Sequence, residues 1–298
     1  MQLELYEVSF QYGRRKKRGQ TGRGELLSRP VLGRISLVVE PGEFLAVAGR
    51  SGSGKSTLMQ LIKGFLSPTD GQLLLDGADP QEARKPEWFD RIGYIFQYPE
   101  HQLFSPSVYA DIAFGLQFAL RNAPADIEKR VRWAMDSVGL NYAQYKDRNP
   151  FELSGGEKRR AAIAGTIVLQ PEVLILDEPT AGLDLQGRST LFELLARLNR
   201  EQGTTIIWVS HQPEEILRHA SRMLLLDQGR LVADGRPADI LSDRALLSAV
   251  GWEEPVPLQL RRLLLERGID AGDRPWDVRH TAALLAEQRR HLPSTVGR

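Results

Sequence analysis

The chain opens with apolar residues at alternating positions, which is the pattern of a half-buried β-strand. These residues are Leu3, Leu5, Val8 and Phe10. Short apolar runs bounded by glycine, proline or polar residues recur along the chain, and each predicts a further strand. The runs cover 31–40, 43–49, 71–77, 92–96, 173–179 and 204–210, and 222–235 holds two strands around a turn.

A helical pattern separates the later strands. The segment 125–140 predicts an amphipathic helix, and the whole region from about 98 to 170 is mostly helical in pattern. Further helices are predicted at 186–203 and 213–219. Apolar strands that alternate with amphipathic helices are typical of a mostly parallel sheet with helices on its faces. The sequence therefore predicts an α/β fold.

The character of the chain changes after about residue 235. Two helices are predicted in this tail, at 246–269 and 280–292. The first carries an apolar stripe of Val256, Leu260, Leu263 and Leu264. We expect a domain over 1–235 and a helical extension over 236–298, whose stripe packs on the body of its own chain or on a second copy.

Composition limits the class of protein. Apolar residues make up 42% and charged residues 26% of the 298 positions, as in soluble globular proteins. The absence of cysteine excludes a disulfide framework and fits a reducing compartment. No apolar run approaches the roughly 18 residues that a membrane span needs, and the first residues lack a signal-peptide pattern. We expect a cytosolic protein, or one held at a membrane only through a partner.

The net charge of +1 is unevenly distributed. The run 13–24 holds six basic residues and no acidic one, so the rest of the chain carries a net charge of −5. Such a run usually forms a solvated loop. Contact with anionic lipid headgroups is a second interpretation, and contact with nucleic acid is a third.

A glycine-rich stretch, "GRSGSGKST", lies between a predicted buried strand and a predicted helix. Glycine lets the backbone approach a ligand closely, and the start of a helix offers free N–H groups to an anion. The spacing Gly49-x-x-x-x-Gly54-Lys55-Ser56 matches a P-loop, in which the lysine reaches the β- and γ-phosphates and the hydroxyl holds Mg²⁺. The candidate nucleotide-binding residues are Gly49, Ser51, Gly52, Ser53, Gly54, Lys55, Ser56 and Thr57.

Polar side chains follow three of the predicted buried strands. Asp177 and Glu178 end the run "VLILDEP", and we expect Asp177 to join the Mg²⁺ shell and Glu178 to polarise an attacking water. Gln97 follows the predicted strand at 92–96, where its amide can contact both Mg²⁺ and that water. His211 follows the predicted strand at 204–210 and could donate to the γ-phosphate. The pattern predicts hydrolysis of a nucleoside triphosphate.

A second candidate phosphate cradle lies in "LSGGEKRR", at the start of a predicted helix. It consists of Ser154, Gly155 and Gly156. One interpretation is a simple helix N-cap. The other is a dimer in which the cradle of each subunit caps the nucleotide on the P-loop of the other.

Taken together, these motifs resemble those of ATP-binding cassette (ABC) ATPases over residues 1 to about 235. The resemblance rests on "GRSGSGKST", Gln97, "LSGGE", "VLILDEP", "TAGLD" and His211 in this order. It implies a P-loop NTPase of ABC type with ATP and Mg²⁺, an N-terminal antiparallel β subdomain and a helical subdomain at about 98–170. It also implies that Tyr12 stacks on adenine and that Asp184 links the two active sites. Glu157 replaces the glutamine that more often ends the signature.

A narrower resemblance is to the ATPase subunits of energy-coupling factor (ECF) transporters. It rests on residues 96–115, "RRAAIAG" and the tail "VGWEEPVPLQLRRLLLERGI". It implies uptake of vitamins or transition-metal ions, a second identical or paralogous ATPase, a transmembrane coupling protein and a substrate-binding membrane protein. The chain would then lie at the cytoplasmic face of the membrane, with Glu100 near the groove for the coupling helices. The alternatives are an ATPase of a conventional importer and a non-transport ABC protein that acts on nucleic acid.

Overall fold

The computed structural model describes residues 1–13, 30–80, 86–119, 124–270, 272 and 281–286. Within this part of the chain the strands form two sheets. The strands are β1 (Leu3–Phe10), β2 (Leu32–Val39), β3 (Phe44–Gly49), β4 (Asp70–Leu75), β5 (Ile92–Ile95), β6 (Val173–Asp177), β7 (Thr205–Val209), β8 (Arg222–Asp227) and β9 (Arg230–Gly235). Each predicted strand is present, with ends that shift by at most two residues. The basic run lies outside the described residues except for Gly13.

The first sheet is antiparallel and has the order β2-β1-β4. Its inward positions are the alternating apolar residues of the sequence, and Leu3, Leu5 and Val8 are almost fully buried. This sheet is the N-terminal β subdomain that the family resemblance implied.

The second sheet has the order β5-β6-β7-β3-β8-β9 and is parallel apart from β9. Its central strands are buried on both faces, which explains why the sequence shows continuous apolar runs there. On β7, for example, Trp208 packs into the core on the helical side, whereas Ile207 and Val209 pack toward the antiparallel sheet. The predicted α/β fold is confirmed.

Helices cover both faces of this sheet. They are α1 (Lys55–Ile62), α2 (Val108–Ala119), α3 (Pro124–Ser137), α4 (Tyr142–Tyr145), α5 (Gly155–Ile167), α6 (Leu185–Gln202), α7 (Pro213–His219), α8 (Pro237–Ile240), α9 (Arg244–Val250) and α10 (Val256–Leu265). Helices α2, α3 and α5 pack together as the helical region that the sequence predicts at about 98–170. No described helix is long and apolar enough to cross a bilayer.

The tail differs from its prediction. The continuous helix expected at 246–269 is broken into α9 and α10, because Gly251 adopts a left-handed φ of 67° and Pro255 follows it. The stripe is not covered by its own chain, since Val256, Leu260 and Leu263 are 69%, 43% and 41% exposed. Packing on a second copy stays a prediction. In the second predicted tail helix, residues 281–286 are helical, and the remainder lies outside the described residues.

One contact ties the tail to the glycine-rich stretch. Arg50 Nε donates to the carbonyl of Val250 at 2.5 Å, across 200 positions of sequence. The guanidinium of Arg50 occupies the space beside Gly251, where an added Cβ would lie 2.2 Å from Arg50 Nη2. Glycine at this position therefore satisfies both the left-handed φ and the close approach of Arg50.

We expect Gly251→Ala to destabilise the protein by more than Gly268→Ala. Both glycines adopt a left-handed φ after a helix, which costs roughly 1–2 kcal/mol for another residue. Space is open around the Cβ position of Gly268, so the added loss at Gly251 measures the Arg50 contact. Thermal unfolding of the two variants checks this, at about 2–4 °C per kcal/mol. Equal shifts in Tm would show that the contact contributes nothing.

Candidate active site

The glycine-rich stretch forms a tight loop between β3 and α1. A Cβ on Gly49 would lie 2.1 Å from the carbonyl oxygen of Leu226, and one on Gly54 would lie 2.6 Å from Leu32 Cδ2. Both glycines also have positive φ, 143° and 101°. The loop can therefore adopt this conformation and pack against the neighbouring strands only because these positions lack side chains.

Lys55 lies across this loop. Its Nζ donates to the carbonyl oxygens of Gly49 and Arg50, each at 2.9 Å, and the residue is 6% exposed. Burial lowers the pKa of Lys55, while the charges of Glu178 and Asp177 oppose that shift. Nearby, the buried hydroxyl of Ser53 has no hydrogen-bond partner among the described residues. A lysine held by carbonyls and an unpaired hydroxyl both fit a loop that receives phosphate.

The two carboxylates of "VLILDEP" lie at the end of β6. Glu178 adopts a left-handed φ of 49°, which interrupts the alternation of a strand and explains how neighbouring acids serve one site. Burial raises the pKa of Asp177, opposed by hydrogen bonds from Ser56 and Tyr94. The Tyr94 hydroxyl donates to Asp177 Oδ2 at 3.3 Å.

Glu178 is the centre of a three-residue cluster. Gln97 Nε2 donates to Glu178 Oε2 at 2.9 Å, and His211 Nε2 lies 2.7 Å from Glu178 Oε1. These residues follow β5, β6 and β7, which are adjacent in the sheet. The structure therefore brings together the three residues that the sequence singled out for catalysis, at the carboxyl edge where α/β sheets bind ligands.

The predicted Mg²⁺ ligands offer oxygen donors only. They are the Ser56 hydroxyl, the Asp177 carboxylate and the Gln97 amide, and Ser56 hydrogen-bonds to Asp177. Among the described residues there is no group of three or more His, Cys, Asp or Glu side chains that could hold a metal alone. This donor set fits Mg²⁺, which uses one or two carboxylates and takes its other ligands from phosphate and water.

The signature turn begins α5. Ser154 is the N-cap and forms a capping box with Glu157, whose Oε2 accepts from Ser154 N at 2.8 Å and from Ser154 Oγ at 2.7 Å. The Tyr145 hydroxyl also donates to Glu157 at 2.7 Å, and these hydrogen bonds lower the pKa of Glu157 to about 2. Ser154, Gly155 and Gly156 are all exposed. Ser154 is thus a helix N-cap, and because the turn is exposed, the dimer interpretation stays a prediction.

Comparisons with known proteins decide the family. The family model described as "ABC transporter" matches residues 32–181, half of the chain. The chain belongs to the ABC transporter family. Among curated proteins, this ABC ATPase is 43% identical to the energy-coupling factor transporter ATP-binding protein EcfA2 of Clostridium tetani, over 80% of the chain and 83% of that protein. The corresponding protein of Symbiobacterium thermophilum is also 43% identical, over 78% and 81%.

Solved structures agree with this assignment. The ABC ATPase resembles cbiO1 from Clostridium perfringens, described as part of the ABC transporter complex cbiONQ, with a TM-score of 0.71, 33% identity and coverage of 90% and 98% of the two chains. It also resembles a dimeric ATP-binding cassette in a post-hydrolysis state with ADP and Pi, with a TM-score of 0.67, 25% identity and coverage of 79% and 98%. The predicted ABC fold and the ECF class of ATPase are confirmed.

Two residues named through the resemblance have defined positions in this ABC ATPase. Asp184 is the N-cap of α6 and accepts from the backbone N–H of Gly187 at 2.7 Å, next to Leu185, which is 86% exposed. Tyr12 is 58% exposed, and its hydroxyl lies 3.5 Å from Thr57 Oγ1 at the start of α1. Tyr12 therefore stands at the edge of the P-loop, and its contact with adenine stays a prediction.

Three residues around the ATPase site were missed by the sequence analysis. Tyr94 donates a hydrogen bond to Asp177, and Tyr145 donates one to Glu157. The third residue, Arg159, contacts the turn after Glu178. The sequence offers little signal for Arg159, because it sits in the basic run "EKRR" that resembles an exposed helix face. Only its position two residues before the apolar run from Ala161 hints that it points inward.

Proposed function

We propose that this ABC ATPase hydrolyses ATP with Mg²⁺ as one half of a cassette dimer and drives uptake of a vitamin or a transition-metal ion through membrane partners. The single observation that carries the proposal is the cluster of Glu178, Gln97 and His211 beside the P-loop. Its relatives include ECF transporter ATP-binding proteins and a component of the cbiONQ complex. The chain would be peripheral to the membrane.

Each side chain of the cluster has a defined task in this proposal. Glu178 accepts the proton of the attacking water, and its oxygens are oriented by Gln97 and His211. Lys55 supplies positive charge to the terminal phosphates. Mg²⁺, held by Ser56, Asp177 and Gln97, would neutralise phosphate charge.

The exposed signature turn supports a dimer. In one chain Ser154 caps α5 and faces solvent, so its phosphate-type cradle requires a second molecule to have a ligand. Leu185, next to Asp184, is a large apolar side chain that is 86% exposed. A second subunit would cover it. We propose that Ser154, Gly155 and Gly156 of one subunit cover the nucleotide on the P-loop of the other. The second subunit is identical or a paralogue.

A groove after Gln97 supports docking of a membrane partner. It is lined by Glu100, His101, Leu103, Pro150, Phe151 and Lys158. Phe151 is 64% exposed, and Glu100 Oε2 is buried without a hydrogen-bond partner in the described part of the chain. An exposed aromatic side chain and an unpaired carboxylate oxygen suit an apolar helix that carries a basic residue. We propose that coupling helices of a transmembrane protein bind here.

Co-purification from membranes tests this function. We expect the tagged ATPase to bring down a transmembrane coupling protein and a small vitamin-binding or metal-ion-binding membrane protein, and Phe151→Asp to reduce their recovery at least tenfold. Val232→Asp is the control, because Val232 is an exposed apolar residue on β9, outside the groove lining. Recovery of a conventional importer with a periplasmic-type binding protein, or undiminished recovery with Phe151→Asp, would contradict the proposal.

A further inference from the structure

Arg159 is a buried arginine that joins the signature helix to the catalytic turn. It lies on α5, five residues after Ser154, and is only 6% exposed. Its Nη1 donates to the carbonyl of Ala181 at 2.8 Å, and its Nη2 donates to the carbonyl of Pro179. Both carbonyls belong to the turn that directly follows Glu178. One side chain therefore links the helix of the signature turn with the backbone that carries Glu178.

The turn needs such support. Glu178 has a φ of 49°, a conformation that non-glycine residues keep only where the surrounding structure imposes it. Within the turn, Ala181 N donates to Glu178 O at 3.2 Å and Leu183 N donates to Thr180 O at 3.1 Å. The guanidinium adds two donors in a fixed fork, which holds two carbonyls at once. A lysine at this position could not reproduce that geometry.

Arg159 also lies close to Glu100, which lines the docking groove. Helix α5 packs against the 3-10 turn Pro99–Gln102, which carries Glu100. Arg159 Nε and Glu100 Oε2 are both buried, and neither has a hydrogen-bond partner among the described residues. Burial lowers the pKa of Arg159, and the charge of Glu100 opposes that shift. Arg159 is therefore hydrogen-bonded to the turn that holds Glu178 and lies close to one residue of the groove lining.

We propose that Arg159 is a positioning residue that fixes Glu178 relative to the signature helix and the docking groove. It acts through the carbonyls of Pro179 and Ala181 and contacts no reacting atom itself. The inference rests on the proposed function, because it assumes that Glu178 is the catalytic base. Through this link, a movement of α5 or of the groove reaches the backbone at Glu178.

Arg159→Lys tests the inference in the full chain. We expect kcat for ATP to fall about tenfold to a hundredfold, as for a catalytic group displaced by about 1 Å, while KM for ATP stays unchanged because the P-loop is intact. Arg197→Lys is the matched control, since Arg197 also donates to a backbone carbonyl, that of Ser137, but on the exposed side of α6. It should leave both constants at the wild-type values.

A double-mutant cycle separates positioning from a general loss of stability. If Arg159 acts through Glu178, Arg159→Lys has no further effect on the residual rate of Glu178→Gln. The ATP-dependent dimer of Glu178→Gln, measured by size-exclusion chromatography, should persist when Arg159→Lys is added. Arg159→Gln, which offers one amide donor without a buried charge, repeats the measurement if the lysine variant does not fold.

Several outcomes would overturn the inference while leaving the proposed function intact. In each of them wild-type protein hydrolyses ATP and Glu178→Gln loses turnover. The inference fails if Arg159→Lys keeps the wild-type kcat, if its loss appears in KM, or if its effect multiplies with that of Glu178→Gln. Unimpaired turnover in Glu178→Gln would instead contradict the catalytic assignment itself.

Discussion

Glu178→Gln is expected to retain ATP binding and to lose turnover by about 10²–10⁴-fold, the range that general acid–base catalysis contributes. The amide keeps the size of the side chain but cannot accept a proton from water. Because Lys55 and the loop are unchanged, ATP should still close the dimer, and slow hydrolysis should trap it. Steady-state phosphate release and size-exclusion chromatography with ATP measure the two effects.

Glu215→Gln is the control for this variant. Glu215 is another partly buried carboxylate near the same turn, where it accepts from Thr180 at 3.1 Å and pairs with Arg188, and burial raises its pKa. Its substitution should lower stability and leave turnover close to wild type. Turnover near the wild-type rate in Glu178→Gln would rule out its role as the base.

Lys55→Ala is expected to lose ATP affinity and hydrolysis together. The ammonium now held by the carbonyls of Gly49 and Arg50 is the positive charge available to the terminal phosphates. Removal of one such electrostatic contact typically costs about 10²–10³-fold in kcat. Titration with a fluorescent ATP analogue and the phosphate-release assay measure both losses in the same preparation.

Lys63 provides a matched control at the other end of α1. Its Nζ also donates to two backbone carbonyls, those of Phe89 and Ile92, each at 2.7 Å, and burial lowers its pKa as it does for Lys55. Lys63→Ala should destabilise the fold without a specific loss of ATP affinity. If Lys55→Ala and Lys63→Ala lower ATP affinity equally, the P-loop assignment is wrong.

The strands and the proximity of the candidate site residues could be predicted from the sequence for the same physical reason. A strand buried on both faces needs a continuous apolar run, and the polar residues that end or follow that run mark the carboxyl edge of the sheet. Gln97, Asp177 and His211 were found in this way, and the structure places their strands side by side. The positions of these polar residues in the sequence therefore predicted that their side chains lie close together, without knowledge of the individual contacts.

Local conformation and long-range contacts were harder to predict. The left-handed φ of Glu178 leaves no mark in composition, because the surrounding fold imposes it. The burial of Arg159 depends on carbonyls contributed by another part of the chain. The lack of space for a side chain at Gly251 depends on Arg50, 201 positions away. The break between α9 and α10 had a local signal in Gly251 and Pro255, but the apolar periodicity of the tail outweighed it in the prediction.

The position of β3 between β7 and β8 has a consequence for synthesis of the protein. The strand that leads into the P-loop pairs with partners that begin about 160 residues later. At ribosomal rates of about 5–20 residues per second, Leu45 and Val47 wait roughly 10–30 s for those partners. During that time the nascent chain carries an unpaired apolar strand, which exposes it to aggregation with other chains.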